Sequence, residues 1–426
     1  MKLFPHNQVG IEVLSGNYQE ILVKINTNKM QILSVHSRYQ IRGGEDECHE
    51  AEQSLLRLMN HSVEIYEENN DRVAAIGKVA LAMRTIWSTE SYKALSSLLK
   101  SLTYDVVHVH NFFPVISPSV YYAAKDSGVP VVQTLHNYRL LCPNALFFRS
   151  GKVCEDCLGK PVPYPGVINS CYREDLAASA VTATMLSLHS AMHTWTEMVD
   201  VYIALTEFAR QKFIQGGLPA DKIAVKPNFV HPDPGIGSGS GGYALFVGRL
   251  SVEKGLDTLL AAWEHLGDKI PLKIVGEGPL SDMVAEATVR QPHAIEWLGR
   301  RPMPEVHELM GEAKMLIFPS KWYETFGRVA IEAFAKGTPV IAANIGAIAE
   351  LVEHGRTGLH FQPGDAVDLA TQVEWALTHP TDIAKMRLEA RAEFEAKYTA
   401  IQNYHRLMEI YSQVSRTPIQ MPNMMP

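Results

Sequence analysis

Short β-branched runs alternate with longer helix-compatible stretches along most of this chain, and that alternation admits few folds. Strand-like runs at residues 31–36, 63–66, 105–110, 129–134 and 199–205 are separated by helical patterns such as 47–59 and 76–102. Strand, helix and strand in that order make a parallel βαβ unit, so the expected class is α/β with Rossmann-like, doubly wound sheets. Near residue 227 the composition changes to Pro227-Asn-Phe-Val-His-Pro-Asp-Pro-Gly-Ile-Gly-Ser-Gly-Ser-Gly-Gly242, as expected of a linker or long mobile loop. The alternation then restarts, with strands at 243–247, 272–275, 294–298, 315–319 and 338–343 and helices at 256–266, 305–312 and 327–336. A last helical stretch covers 393–414. Two α/β domains facing a central cleft follow: an irregular arm at 1–29, a first domain at 30–228, a second at 229–395, and a helix with a tail at 396–426. Met30, just before the first strand, is a plausible natural start.

At 426 residues the chain is long enough for two or three domains, each with its own core. With 39 basic against 46 acidic residues, the formal net charge of -7 argues against a nucleic-acid partner. The first residues lack a charged start followed by an apolar core, so no secretory signal is read there and the expected compartment is the cytoplasm. The uncharged stretch between Asp175 and Glu197 approaches the length of a membrane span, about 20 residues, but Ser179, Thr182, Ser187 and His189 interrupt it. It reads as a buried or surface-docked helix, with peripheral contact at the inner face of a membrane as the alternative.

In doubly wound folds, ligands bind beyond the carboxyl ends of the strands, beside helix N-termini. The loop after the 315–319 strand carries Glu324-Thr-Phe326-Gly327, with Glu332 about two turns into the next helix. Free amides there suit a phosphate, and the carboxylates can accept hydrogen bonds from sugar hydroxyls. Two glutamates on one helix also commonly make an ordinary solvated face. The loop after 243–247 reads Gly248-Arg249 through Lys254-Gly255, two cations able to neutralise a departing diphosphate or simply incidental surface charges. Gly276-Glu277-Gly278 permits close backbone approach after a third strand, but Asp282 stands where the longer dinucleotide fingerprint needs Gly or Ala. In the first half, Gly43 and Gly44 follow the first strand and His136 ends another; a flexible turn and a structural histidine are the plain alternatives.

Taken together and in order, Arg42-Gly43-Gly44, the 105–110 strand, Leu135-His136-Asn137, Pro227-Asn228, Gly248-Arg249 to Lys254-Gly255, Gly276 to Pro279, and Glu324 to Glu332 resemble the retaining nucleotide-sugar glycosyltransferases of family 4. That resemblance implies the GT-B fold and transfer of a sugar from a UDP- or GDP-sugar to a carbohydrate or lipid-linked acceptor, without a catalytic metal. It implies that Arg249 and Lys254 contact the diphosphate, Glu332 holds the ribose, and Glu324 lies near the donor sugar. The Phe326 and Gly327 amides would hold sugar and phosphates. Gly43 and Gly44 would close on the phosphates and acceptor, and His136 would face the donor sugar. Gly248, Gly276, Glu277 and Gly278 complete the donor loops, and the terminal helix would cross back to the first domain. A phosphorylase, synthase or epimerase on the same scaffold, or a non-catalytic sugar-nucleotide sensor, are the alternatives.

Four of the five cysteines, Cys142, Cys154, Cys157 and Cys171, fall in one insert after His136. In a reducing compartment a structural four-thiolate zinc site fits this spacing, with buried thiols or a redox pair as alternatives.

Overall fold

The computed structural model describes residues 29–40 and 42–415. Nearly all of the expected arm, and the tail beyond Ser415, lie outside the described residues. The first sheet contains β1 (Gln31–Arg38), β2 (Ser62–Asn69), β3 (Val106–Asn111) and β4 (Val131–Thr134). After a small hairpin, β5 (Phe148–Arg149) and β6 (Lys152–Val153), it is completed by β7 (Val201–Ala204) and β8 (Ile223–Val225). Its order is β2-β1-β3-β4-β7-β8, and every pairing is parallel. The second sheet contains β9 (Ala244–Val247), β10 (Leu272–Val275), β11 (Ile295–Gly299), β12 (Met315–Phe318), β13 (Val340–Ala343) and β14 (Gly358–Phe361), in the order β11-β10-β9-β12-β13-β14, again all parallel. The strand order reverses between β1 and β3 in one sheet and between β9 and β12 in the other. These switch points are where such sheets open a crevice for ligands.

Successive strand residues face opposite sides of a sheet, and β1 and β3 use this sharply. Leu33, Val35, Val107 and Val109 enter one core with Leu95, Tyr121 and Tyr202. The other side carries Ile32 and Val106, which pack with Leu55, Leu56, Leu407 and Tyr411, and then Ser34, His36, His108 and His110, all buried. Helix Gly44–Leu58 lies over this polar face and turns buried Asp46, His49, Glu52 and Gln53 towards it.

Helical pattern alone overextended two elements. The 76–102 stretch is two helices, Lys78–Ile86 and Thr89–Ser101, because the Ser88 side chain accepts from the Ser91 amide and caps a new helix. The 393–414 stretch breaks likewise between helices Pro380–Lys397 and Ala400–Val414, where Thr399 bridges to Val230 and its side chain caps the second helix. Here the chain returns to the first domain: the Tyr404 hydroxyl lies 2.8 Å from His61 Nε2 and the Tyr411 hydroxyl 2.8 Å from His108 Nδ1.

The glycine-rich connection is not a free loop. The amides of Gly237, Gly239 and Gly241 donate to the carbonyls of Lys336, Gly311 and Glu312, and Arg387 donates to the Gly237 carbonyl. A Cβ at Gly237 would stand 2.1 Å from the Gly311 Cα. Glycine is needed there for close packing on the body of the second domain, not for mobility. β8 and β14 escaped the sequence reading because three or four residues give too little alternation.

Candidate active site

The two strands flanking the second switch point feed the loops that matter. After β9 the chain runs through Gly248, Arg249 and Lys254; after β12 it runs through Ser320, Glu324, Phe326 and Gly327 into helix Arg328–Ala335. Gly255 joins them: its φ is +71°, and a Cβ would stand 1.9 Å from the Pro319 carbonyl oxygen. Lys254 Nζ reaches Glu324 Oε1 at 2.5 Å, and that oxygen also accepts from Ser320 Oγ at 3.0 Å and Trp322 Nε1 at 2.9 Å. Lys254 therefore stands in an ion pair over the Trp322 ring rather than free for a phosphate. Arg249 is exposed, and its side chain makes no ion pair or hydrogen bond among the described residues.

Gly327 begins its helix at φ +113°, a conformation costly for a residue with a side chain. The Phe326 ring is core, packed towards Tyr398. Its backbone amide and that of Gly327 find no acceptor among the described residues, so they remain available at the helix end that favours anions.

The Gly276–Gly278 loop has a different reason for its glycines from close ligand approach. A Cβ at Gly276 would lie 1.9 Å from the Gly248 carbonyl oxygen, and one at Gly278 would lie 2.4 Å from that of Leu250. The Leu250 amide donates to the Glu277 carbonyl, and Trp297 Nε1 donates to that of Gly276. These glycines let one strand-end loop lean on another; the Glu277 side chain itself is exposed.

Gly43 and Gly44 differ again. Neither needs a positive φ, and a Cβ on either would meet nothing within 4 Å. The protein itself leaves that space free, at the start of helix Gly44–Leu58 and beside the first switch point.

The domains touch through these same elements. Thr325 Oγ1 donates to the His136 carbonyl at 2.7 Å, and the Tyr138 hydroxyl donates to the Glu324 carbonyl at 3.3 Å. Arg328 pairs with Glu47 across the cleft at 2.6 Å and with Glu332 on its own helix at 3.0 Å. Glu350 accepts the Glu207 and Phe208 amides and so caps helix Glu207–Gln215 of the first domain. His136 lines two small cavities, one shared with Arg139 and Asn111, the other with Glu52, Lys226 and Arg328.

Glu332 is 4% exposed, and burial pushes its carboxyl up to about 7 against the pull of Arg328. A raised carboxyl is protonated in the folded chain and ionised in the unfolded chain between the two pKa values. Its stabilisation is therefore complete below the unfolded value near 4.5 and is lost as pH rises through about 7. Glu332→Gln should unfold later than the parent at pH 8 by about 1–3 kcal/mol, with the difference vanishing at pH 4. Denaturant unfolding at the two pH values measures this; a variant less stable at pH 8 would contradict it.

A buried cluster that sequence reasoning missed stands behind His136. His136 Nε2 lies 3.1 Å from His110 Nδ1. Glu52 Oε1 is 3.3 Å from His110 Nε2 and 3.1 Å from His108 Nδ1, while its Oε2 accepts from Lys226 Nζ at 2.9 Å. The readable signal was polar residues at alternate positions of strands that are otherwise apolar: Ser34 and His36, then His108 and His110. Glu52, His108 and His110 bring ligand atoms within 4.8 Å of one another, but they are poor metal ligands. Lys226 already supplies the positive charge, and both His108 nitrogens are engaged, by Tyr411 and Thr134.

The four insert cysteines share one neighbourhood, close enough for Cys142, Cys154 and Cys171 to raise the Cys157 thiol electrostatically. All are free thiols, and burial pushes Cys157 up to about 12. The hairpin of β5 and β6 leads into Cys154, and the Gly166 amide donates to Cys157. Among the described residues no three of these sulfurs lie within 4.8 Å of one another, so the cage is not closed. No helix among the described residues is long and apolar enough to cross a membrane.

Comparison with known proteins places this geometry. Residues 238–393 match the profile of the "Glycosyl transferases group 1", and residues 53–234 match that of "Glycosyltransferase Family 4". A glycogen synthase of Mycobacterium tuberculosis is 34% identical over 159 residues, which cover 36% of this chain and only 38% of that protein. The D-inositol 3-phosphate glycosyltransferase of Thermobispora bispora is 26% identical over 380 residues, covering 84% of this chain and 80% of that one. The crystal structure of Anabaena HepE in complex with UDP shares the fold, with a TM-score of 0.65 at 19% identity over 90% of this chain and all of that one. Two facing parallel-sheet domains and both profile matches lead to one assignment: the chain belongs to the group 1 glycosyltransferases and has the GT-B fold.

Proposed function

We propose that this protein transfers a sugar from a UDP- or GDP-sugar to a carbohydrate or lipid-linked acceptor, with retention at the anomeric carbon and no metal on the diphosphate. The observation that carries this reading is the convergence at the second switch point of Arg249, Lys254 and the open Phe326 and Gly327 amides, directly across from His136. Anabaena HepE has been crystallised with UDP and with UDP-glucose, which supports a nucleotide-sugar donor. The diphosphate would displace Glu324 as the partner of Lys254 and lie between the cations and the helix N-terminus, where its developing charge is stabilised. As the bond from the anomeric carbon to the phosphate oxygen breaks, the acceptor oxygen bonds to that carbon on the same face. The departing phosphate oxygen takes the acceptor's proton. Glu332, deep on the same helix, would accept hydrogen bonds from the ribose.

Calorimetric titration with UDP, GDP, ADP and their hexose conjugates tests the donor site. One of the uridine or guanosine compounds is expected to bind, and Arg249→Ala should weaken the diphosphate-bearing forms while leaving the nucleoside alone unchanged. No binding by any compound would overturn the reading.

The cysteine insert is proposed to close around a structural zinc ion, drawing the four sulfurs together. Elemental analysis of protein purified without chelator should give about one zinc per chain, and Cys154→Ser should lose it. A metal-free protein of unchanged stability would remove the proposal.

A further inference from the structure

The histidines behind the cleft have a direction. Glu52 is buried beside the Lys226 ammonium, and that charge together with His108 holds its carboxyl well below the usual range, so it is an ionised acceptor. His110 Nε2 faces Glu52 Oε1 at 3.3 Å. The angle is too bent for a formed hydrogen bond, and Glu52 Oε1 is a buried oxygen without a hydrogen-bond partner among the described residues, but a bare nitrogen facing that anionic oxygen would set two lone pairs against each other, so the ring proton belongs on Nε2. His110 is held neutral, because burial drives its pKa down to about 3. A neutral ring has one proton, which leaves His110 Nδ1 bare. That bare nitrogen lies 3.1 Å from His136 Nε2 and must accept from it. His136 is itself neutral, since burial pushes it well below the ordinary histidine value. Its only proton is then used on Nε2. Its Nδ1 has no partner among the described residues and is not a buried orphan, so it keeps contact with solvent on a residue that lines both small cavities.

We infer that His110 and Glu52 are positioning residues that fix His136 in the Nε2–H tautomer, so that its open Nδ1 accepts a hydrogen bond from a hydroxyl of the donor sugar. This rests on the nucleotide-sugar reading of the cleft. It adds a requirement on the substrate: the sugar presents a hydroxyl hydrogen at this point, and a carboxylate or other pure acceptor placed there is repelled. A pair of histidines alone carries no such direction; the Glu52–Lys226 pair supplies it.

The test has two arms. Two-bond proton–nitrogen NMR spectra of histidine-labelled protein, with His136 assigned by its loss in His136→Gln, distinguish a bare nitrogen from a protonated one. The expected spectrum shows His136 with Nε2–H and bare Nδ1 at pH 7.5; a protonated Nδ1 overturns the inference whether or not any donor is known. In the second arm, His110→Gln keeps the chain's direction, because its amide can donate to Glu52 while its carbonyl accepts from His136, whereas His110→Met removes both. With the sugar nucleotide that turns over, KM should rise about tenfold in the Met variant and stay within about threefold of the parent in the Gln variant. Equal KM values in folded Met and Gln variants would overturn it. The expected tautomer without any donor binding would instead sink the nucleotide-sugar reading and leave the tautomer assignment standing.

Discussion

Lys254→Ala is expected to lower turnover by about 2–4 kcal/mol of transition-state stabilisation, roughly a hundred- to a thousandfold, with little loss of stability. The asymmetry comes from what each state needs from the ammonium. In the fold Lys254 is half-buried and pairs with Glu324, an exchange of solvent for carboxylate worth at most about 1 kcal/mol. Glu324 is not orphaned by the change, because Ser320 and Trp322 still donate to it. In the proposed mechanism, negative charge grows on the phosphate oxygen as the sugar–phosphate bond breaks, and Lys254 would meet it together with Arg249 and the Phe326 and Gly327 amides. Single-turnover release of nucleoside diphosphate, read beside a denaturant melt, checks both halves. A variant with parental turnover, or one that simply fails to fold, would contradict the role.

The largest stability effect is expected at the opposite wall. Glu52→Ala leaves Lys226, 2% exposed, with only Asn403 Oδ1 at 3.3 Å, among the described residues, to solvate its charge. Breaking a buried pair from one side costs about 3–5 kcal/mol, more than the pair contributes over an apolar replacement. The double change Glu52→Leu with Lys226→Met removes both charges and should recover most of that loss. Chemical denaturation of the two variants measures it; if the double variant were no more stable than Glu52→Ala, the unpaired lysine would not be the cause. Asn403 lies on helix Ala400–Val414, so the same substitution should also loosen the packing of that helix on the first domain.

Much of the fold was legible because the two periods involved, 2 and 3.6, are strongly written in buried strands and their covering helices. Leu272–Val275 and Leu256–Leu266 were found to the residue. What failed did so where the backbone and not the side chains decides. The break at Ser88 is a cap within a continuous helical pattern, and the glycine-rich connection is pinned by main-chain hydrogen bonds that no composition reveals. The loops of the proposed donor site were visible as glycines and charges at strand ends. Their reasons were not: Gly276 and Gly278 serve loop-to-loop contact, and Lys254 and Glu324 hold each other. The polar layer of His36, His108, His110 and Glu52 was overlooked because it joins positions up to 74 residues apart, from residue 36 to residue 110, and only the parallel register brings them together. Its alternate spacing on apolar strands was the available clue.

The central claim is that the cleft releases a nucleoside diphosphate from a sugar nucleotide, and the most direct measurement follows that release. The protein is incubated with a panel of UDP- and GDP-sugars, alone and with a pooled glycan and lipid extract, with and without chelator. The account predicts release from one donor, stimulated by the extract, insensitive to chelator and lost in Lys254→Ala. Binding of a donor with no release under any of these conditions would contradict catalysis and leave a GT-B protein that senses sugar nucleotides without transferring them.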